Sequence, residues 1–126
     1  MKVAVLGAKG RMGAECVAAI NAASDLTLAA ALDLGDSLDQ LVSSGAEIVV
    51  DFTTPESVMK NLEFAINNGI HVVVGTTGID EGRLKQLKEL LSKKSGVGAL
   101  IAPNFGLGAV LMMQFSSTAA KYFESV

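Results

Sequence analysis

The sequence predicts an α/β fold of the Rossmann-like type, a doubly wound parallel sheet of about five strands with helices on both faces. Short apolar runs alternate with helix-length segments, which is the pattern of parallel strands buried by crossover helices. The chain has 126 residues, of which 50% are hydrophobic and 18% are charged. This length supports one ordinary domain with a core, so we expect residues 1–126 to form a single domain.

Five segments have the properties of buried strands. Each is short and rich in Val, Ile, Leu or Ala, and each ends at a Gly, Asp or Pro. They cover residues 3–6, 26–32, 47–51, 71–74 and 98–101. Five strands suffice for an open sheet.

Three helices are predicted between the strands. The first, residues 11–23, is rich in Ala and Val. The second, residues 55–67, has Thr54 as its predicted N-cap and a proline at its first position. The third, residues 81–93, follows a capping Asp80 and carries leucines at helical spacing. Its end is marked by two lysines that suit the helix dipole and by a glycine, at positions Lys93, Lys94 and Gly96.

A fourth helical pattern covers residues 107–123. Leu111, Phe115 and Ala119 recur on one stripe, and Met112 and Met113 broaden it. We interpret these side chains as core or as a face covered by a further domain. The sequence ends shortly afterwards without a capping glycine, polar tail or returning strand. We therefore hypothesise that the native chain is longer.

Composition and charge exclude several classes of protein. Ten Lys and Arg against thirteen Asp and Glu give a net charge of −3, so nucleic acid is not the expected partner. The one cysteine, Cys16, cannot form an internal disulfide, and no Cys/His cluster has metal-ligand spacing. The N-terminal apolar run is too short for a signal peptide, and no stretch is long enough to span a membrane. We expect a metal-free cytoplasmic protein that does not bind membranes.

Residues 7–13 form a glycine-rich turn between the first predicted strand and helix. They read Gly-Ala-Lys-Gly-Arg-Met-Gly, a G-x-x-G-x-x-G variant of the dinucleotide fingerprint. The glycines permit a tight turn and close approach of a pyrophosphate, while the helix N-terminus offers free N–H groups. This glycine turn therefore predicts an NAD(P)-binding domain; the alternative is a merely tight connection.

Asp33 strengthens that prediction. It ends the second strand, 20 residues after Gly13, where a carboxylate accepts hydrogen bonds from the adenosine ribose. A carboxylate there repels a 2′-phosphate, and Leu34 offers no compensating guanidinium, although Lys9 and Arg11 could screen the charge. We predict that the cofactor is NADH or NADPH and that NADH binds at least as well. The alternative role for Asp33 is a cap.

Two further turns follow predicted strands, Asp-Phe-Thr-Thr-Pro at 51–55 and Gly-Thr-Thr-Gly at 75–78. In a doubly wound sheet these strand ends face the ligand crevice, so they should line the nicotinamide side of a cofactor. Asp51 is interpreted as a turn residue rather than a catalytic acid. His71 is interpreted as structural and Cys16 as a buried thiol.

Together these motifs, with Ala-Pro-Asn-Phe at 102–105, resemble dihydrodipicolinate reductase in order and spacing. The resemblance covers essentially the whole chain. It implies a two-domain NAD(P)H-dependent oxidoreductase of lysine and diaminopimelate biosynthesis that transfers hydride to a cyclic dicarboxylate.

The resemblance also implies which residues bind the cofactor. The pyrophosphate and adenosine side would be held by Gly7, Lys9, Gly10, Arg11 and Met12, with Asp33 on the ribose. The nicotinamide and its ribose would be surrounded by Phe52, Gly75, Thr77, Ala102, Asn104 and Phe105. Thr77 would also lie near a substrate carboxylate.

The chain departs from the family pattern after Phe123. The family continues there into a substrate domain with a His-His-x-x-x-Lys-like motif and a Ser-Gly-Thr loop, and a C-terminal segment returns to complete the first domain. Neither the motif nor the loop is present in these 126 residues. We therefore assign no catalytic residue and expect negligible turnover by this chain alone.

Two alternatives remain open. The chain could be a stand-alone NAD(H)-binding or redox-sensing module that acts through contact with a partner. It could also be the first domain of a homoserine or aspartate dehydrogenase. The combination of Gly-Thr-Thr-Gly with Ala-Pro-Asn-Phe weakens this last alternative.

Overall fold

Strands and helices alternate along the chain in a computed structural model that describes residues 1–102 and 105–123. The strands are β1 (Lys2–Leu6), β2 (Thr27–Leu32), β3 (Ile48–Asp51), β4 (His71–Val74) and β5 (Ala99–Ile101). The helices are α1 (Arg11–Ala22), α2 (Asp39–Ser43), α3 (Val58–Asn67), α4 (Glu81–Ser92) and α5 (Leu107–Ala119), followed by a 3₁₀ turn at Ala120–Tyr122.

The five strands form one parallel sheet in the order β2-β1-β3-β4-β5. The chain moves from β1 to one side to make β2 and then crosses to the other side of β1 to make β3 and the remaining strands. The strand order therefore reverses between β1 and β3, the point at which open α/β sheets bind their ligands. This arrangement confirms the predicted Rossmann-like α/β fold.

Alternate side chains of β1 serve two separate parts of the core, as expected for a strand buried on both faces. Val3 and Val5 pack with Ile20 of α1 on one face. Ala4 and Leu6 belong to a larger cluster on the other face, to which α2, α3 and α4 contribute. The sheet is thus covered on both sides near its switch point.

Coverage on the α1 face decreases across the sheet. The register aligns Val5 with Val50, Val50 with Val73, and Val73 with Leu100. Val5 is completely buried, whereas Leu100 on the edge strand is 60% exposed. Helix α1 therefore shields the β1 side of this face and leaves the β5 side open.

The start of the second predicted helix was wrong by three residues. The carbonyl of Thr54 accepts hydrogen bonds from the N–H groups of Ser57 and Val58, at 3.1 and 3.0 Å, so residues 55–57 form a turn that leads into α3. Helix α3 begins at Val58, and its N-cap is Ser57 rather than Thr54. The short helix α2 was not predicted, because five residues are too few for a periodic pattern.

The ends of α4 were predicted more closely. The Asp80 carboxylate accepts a hydrogen bond from the N–H of Arg83 at 2.8 Å, which confirms the predicted cap. Lys94 has a different role from the predicted one. Its ammonium donates to the carbonyl of Asn67, the last residue of α3, at 2.8 Å, and so interacts with the end of a neighbouring helix.

Helix α5 is present as predicted but does not contribute to the core in the described part of the chain. None of its thirteen residues is buried. Phe115 is 68% exposed and Met112 is 69% exposed. Of the two interpretations given for these side chains, the core of the described residues does not include them, and a face covered by a further domain stays a prediction. Within residues 1–102 and 105–123, no helix is long and apolar enough to cross a membrane.

Candidate functional site

The glycine turn is hydrogen-bonded to the end of β2. The N–H groups of Gly7 and Ala8 both donate to the carbonyl of Leu32, at 2.9 and 3.0 Å, and Gly10 N–H donates to the carbonyl of Gly7 at 3.0 Å. Gly7 has a φ of +75°, in the left-handed region that favours glycine. The turn from β1 into α1 therefore requires a glycine at its first position.

Gly13 allows α1 to pack directly on this turn. A Cβ atom at Gly13 would overlap the carbonyl of Gly7 and lie 2.8 Å from the Cα of Ala8. Gly13 is buried, so no space exists into which a side chain could move. The last glycine of the motif thus has the close-packing role that the fingerprint assigns to it.

The N-terminus of α1 has the properties of an anion site. The first N–H groups of a helix have no partner within the helix, and Gly10 provides no side-chain cap. Lys9 and Arg11 are exposed beside these groups, and Met12 lies next to them on the surface. The dipole and the two cations together favour a bound phosphate group.

Asp33 joins the end of β2 to the glycine turn. Its carboxylate accepts hydrogen bonds from the N–H of Leu34 at 2.8 Å and from the N–H of Lys9 at 2.7 Å. These two bonds, the Leu34 bond foremost, hold the pKa of the Asp33 carboxyl below its usual value. The structure thus places Asp33 in a capping role, and its two oxygens retain lone pairs for a further donor.

A cleft of about 590 Å³ opens where the ends of β1, β2 and β3 meet. Four predicted binding residues line it, namely Gly7, Gly10, Asp33 and Phe52. Its volume is typical of small-molecule sites. The cleft lies at the reversal of strand order, so the predicted pyrophosphate and ribose positions share one cavity.

Several lining residues were missed in the sequence. Lys60 and Asn61 of α3 and its N-cap Ser57 line the cleft on one side, and Asp36 lines it from the β2 side. The Asp36 carboxylate accepts a hydrogen bond from the N–H of Asp33 at 2.8 Å. Ser57, Lys60 and Asn61 have the i, i+3, i+4 spacing of one helix face, a signal that could have identified them.

Asp51 ties together the two loops that follow β3 and β4. It is fully buried, and its carboxylate accepts hydrogen bonds from the Thr53 N–H and hydroxyl, at 2.9 and 2.7 Å. It also accepts from the Asn61 amide at 2.8 Å and from the Thr76 hydroxyl at 2.6 Å. These partners compensate the burial of a carboxylate, so the turn role predicted for Asp51 agrees with its contacts.

An aromatic pair lies at the far end of these loops. The rings of Phe52 and Phe105 meet edge to face, with centroids 5.3 Å apart and planes at 65°. A Cβ atom at Gly75 would overlap the Phe52 ring and lie 2.9 Å from Phe105. The sheet therefore brings together three of the predicted nicotinamide-side residues.

The other predicted residues on this side are more dispersed. Thr77 is exposed on the loop that follows β4, beside the buried Thr76. Ala102 is positioned by a hydrogen bond from its N–H to the carbonyl of Val74 at 2.9 Å. Asn104 lies outside the described residues.

His71 and Cys16 stay apart from these groups. The Nδ1 atom of His71 accepts a hydrogen bond from the N–H of Gly98 at 3.0 Å, which joins β4 to the start of β5 and agrees with a structural role. Cys16 is half-buried on α1, and burial raises the pKa of its thiol. The described residues contain no group of three His, Cys, Asp or Glu side chains able to hold a metal.

Comparison with known proteins gives the family. The fold and the glycine turn define a Rossmann-like α/β domain, and residues 1–105 match the family model described as dihydrodipicolinate reductase, N-terminus. The chain belongs to this family. It is 60% identical over 125 residues to the 4-hydroxy-tetrahydrodipicolinate reductase of Corynebacterium efficiens, covering 99% of this chain and 50% of that protein. The corresponding protein of Mycolicibacterium vanbaalenii is 57% identical over 126 residues, covering 100% of this chain and 51% of that protein.

Solved structures agree with this assignment. A dipicolinate-bound dihydrodipicolinate reductase from Paenisporosarcina sp. TG-14 is similar with a TM-score of 0.84 and 30% identity, over 98% of this chain and 54% of that chain. The myo-inositol 2-dehydrogenase of Lactobacillus plantarum has a TM-score of 0.72 at 11% identity, over 95% of this chain and 42% of that chain, and so shares the fold alone. The chain spans about half the length of the curated relatives it matches.

Proposed function

We propose that this chain is the pyridine-nucleotide-binding part of a 4-hydroxy-tetrahydrodipicolinate reductase of lysine and diaminopimelate biosynthesis. The observation that carries the proposal is the glycine turn, held by Asp33 at the mouth of a cleft at the switch point of the sheet. Ligands of open α/β sheets bind at this place. In the whole protein, a bound reduced nicotinamide would supply hydride to a cyclic dicarboxylate.

The pyrophosphate would bind at the N-terminus of α1. The N–H groups of Arg11 and Met12 would donate hydrogen bonds to it, Gly10 would leave room for it beside them, and the Lys9 and Arg11 side chains would add positive charge. Gly7 would permit the close approach of the phosphates. Asp33 would then accept from the adenosine ribose within the adjoining cleft.

The nicotinamide would lie farther along the strand ends. Phe52 and Phe105 provide an apolar wall there, and Gly75 lies against both rings. Thr77 offers an exposed hydroxyl for a ribose or a substrate carboxylate. The resemblance also implies that Ala102 and Asn104 contact the nicotinamide or its ribose.

We propose that NADH binds at least as well as NADPH. Asp33 and Asp36 both line the cleft, and two carboxylates beside the ribose would repel a 2′-phosphate. Lys60 lines the same cleft and, with Lys9 and Arg11 at the turn, would reduce this repulsion. A NADPH affinity tenfold above that for NADH would overturn the proposal.

Titration of the purified chain with NADH and NADPH, followed by nicotinamide fluorescence, tests cofactor binding. We expect a NADH dissociation constant of about 1 to 100 μM, corresponding to roughly 5 to 8 kcal/mol. Asp33→Ala should lose this binding, whereas Asp25→Ala, which removes an exposed carboxylate elsewhere, should retain it. Absence of binding by the folded chain to either nucleotide would refute the proposed function.

We expect negligible turnover by these 126 residues. The family grips its dicarboxylate with residues of a second domain, and orientation of reacting groups can contribute roughly 7 to 11 kcal/mol to catalysis. We expect the exposed faces of α5 and of Leu100 to contact the rest of the family protein. Rapid NADH oxidation with the dicarboxylate by this chain alone would contradict the expectation.

The family assignment and the length of the relatives favour a reductase part over a stand-alone sensing module. A cytoplasmic location suits a biosynthetic enzyme, and the net charge of −3 argues against a nucleic-acid partner. Detection of the His-rich family motif in a contiguous coding segment would decide between reductase and module.

A further inference from the structure

Arg83 connects the two loops that follow β3 and β4. These are the β3–α3 loop, residues 52–57, and the β4–α4 loop, residues 75–80. The guanidinium Nη1 of Arg83 donates hydrogen bonds to the carbonyl of Pro55 at 2.7 Å and to the carbonyl of Gly78 at 2.9 Å. One side chain from α4 therefore bridges both loops on the nicotinamide side of the proposed site.

The bridge lies over a close contact between the loops. Gly78 has a φ of +91°, and a Cβ atom there would be 2.9 Å from the Cβ of Pro55 and 3.6 Å from Arg83 Nη1. The backbone of one loop thus rests directly on the proline ring of the other. The guanidinium lies beside this contact, and its bonds to both carbonyls fix the distance between the two loops.

The first residues of the β4–α4 loop are also held, by hydrogen bonds to Asp51 at the end of β3. The N–H groups of Gly75 and Thr76 donate to the carbonyl of Asp51, at 2.9 and 3.1 Å, and the Thr76 hydroxyl donates to the buried Asp51 carboxylate. Thr77 lies between this anchor and the Arg83 bridge. Its exposed position is therefore set by one buried anchor and one half-buried anchor.

Arg83 is itself well positioned for this role. It lies in the first turn of α4, where its N–H donates to the capping carboxylate of Asp80 at 2.8 Å. Near the bridge, the Thr54 hydroxyl and, more weakly, the positive charge of Arg83 contribute to a lowered pKa of Glu56. A guanidinium presents several donors in a fixed plane and stays charged, so a lysine cannot reproduce both bonds equally well.

We propose that Arg83 is a positioning residue that sets the β4–α4 loop, and Thr77 with it, for the nicotinamide half of the cofactor. The proposal rests on the proposed function for its ligand. The adenosine half would bind at the glycine turn and Asp33, to which, within the described residues, Arg83 donates no hydrogen bond. The β3–α3 loop also lines that cleft, but its bonds to the Asp51 carboxylate and to the Thr54 carbonyl hold it there without Arg83. Loss of the bridge should therefore weaken binding of the nicotinamide half far more than binding of the adenosine half.

The test compares NADH with ADP-ribose, which lacks the nicotinamide, on the full 126-residue chain. Arg83→Met retains the aliphatic stem and removes the guanidinium. We expect it to weaken NADH binding about tenfold and to change ADP-ribose binding less than about twofold. Arg83→Lys should restore part of the NADH affinity, and Lys85→Met, at an exposed position of the same helix, should behave as the parent chain.

Hydrogen exchange without nucleotide provides an independent measurement. Amides of residues 75–79 should exchange at least about tenfold faster in Arg83→Met, with β1 and β3 unchanged. Unchanged exchange in this segment, unchanged NADH affinity, or equal losses of NADH and ADP-ribose affinity would each overturn the positioning role. If the parent chain binds neither nucleotide, the proposed function fails, and the exchange result alone decides whether Arg83 holds the loop.

Discussion

Helices α3 and α5 are both rich in apolar residues but differ completely in burial. Five of the ten residues of α3 are buried, whereas none of the thirteen residues of α5 is buried in the described part of the chain. In α3 the apolar side chains pack in the core, and polar residues such as Glu63 and Asn67 are exposed. Apolar content therefore shows that burial would be favourable, while contact with a second element determines whether it occurs.

The two helices should differ most in how much unfolding free energy is lost when one large apolar side chain is removed from each. Leu62 on α3 is 1% exposed, and Met112 on α5 is exposed. We expect Leu62→Ala to lower the free energy of unfolding by about 2 to 5 kcal/mol. Met112→Ala should change it by less than about 0.5 kcal/mol. Urea unfolding followed by circular dichroism measures both, and equal losses would show that α5 is packed in solution.

A pair of glycine substitutions should give effects of opposite sign. Gly13→Ala places a Cβ atom against the backbone of the glycine turn, whereas nothing lies within 4 Å of a Cβ atom at Gly108 in α5. We expect Gly13→Ala to destabilise the fold by about 1 to 3 kcal/mol. Gly108→Ala should stabilise it by about 0.5 kcal/mol, because alanine loses less backbone entropy in a helix. Thermal unfolding of both variants provides the measurement, and a neutral Gly13→Ala would contradict the packing described for the turn.

Thiol reactivity compares the shielding of α1 with that of α5 within one molecule. Cys16 is half-buried on α1 and burial raises the pKa of its thiol, so little reactive thiolate forms near neutral pH. Ser116→Cys adds an exposed thiol on α5. We expect the added thiol to react with an aromatic disulfide reagent at least about tenfold faster than Cys16 at pH 8. Ser116→Cys in a Cys16→Ser background shows which thiol gives the fast phase of the reaction. Equal rates for the two thiols would show that α1 does not shield Cys16.

The smallest expected effect is a pH dependence from Asp33. Because its folded-state pKa lies below the ordinary value of 3.8, Asp33 stabilises the fold above that value. The contribution decreases as pH falls through 3.8 and then through the lower folded-state pKa. Helix α5 contains no ionisable side chain, so it makes no contribution of this kind.

Asp33→Asn provides the comparison for this effect. The urea midpoint of the variant should be lower than that of the parent chain at pH 6, and the gap should narrow by pH 3. Asp25→Asn serves as a control for loss of one surface carboxylate. A gap that stays constant with pH would rule out a stabilising charge at Asp33.

Most of the fold could be predicted because its signals are local. The apolar runs of β1, β3 and β4 and the cap at Asp80 are properties of adjacent residues, and the structure reproduces them. The bond from Lys94 to Asn67 could not be predicted, since it depends on how two helices lie side by side. The exposure of α5 could not be predicted either, because an apolar stripe does not specify its partner.

The candidate site could be predicted where neighbours along the chain build it. Gly7, Gly10 and Asp33 lie at strand ends, and all three line the cleft, while their binding roles stay predictions. Lys60 and Arg83 were not singled out, because each lies on a helix surface that looks like ordinary polar surface in the sequence. Their contacts depend on the approach of separate elements, which spacing along the chain does not encode.

The buried carboxylate of Asp51 has a consequence for strand alignment. Strands β3 and β4 are runs of Val and Ile, and a slip of two residues would leave apolar side chains on both faces. Asp51 breaks this equivalence, because the Thr76 hydroxyl, on the loop that follows β4, meets its carboxylate only in the alignment that places Asp51 opposite Val74. In a shifted pairing of β3 with β4, the buried carboxylate would keep its local partners Thr53 and Asn61 but lose the Thr76 hydroxyl. One acidic side chain thus marks the correct pairing of β3 with β4 during folding.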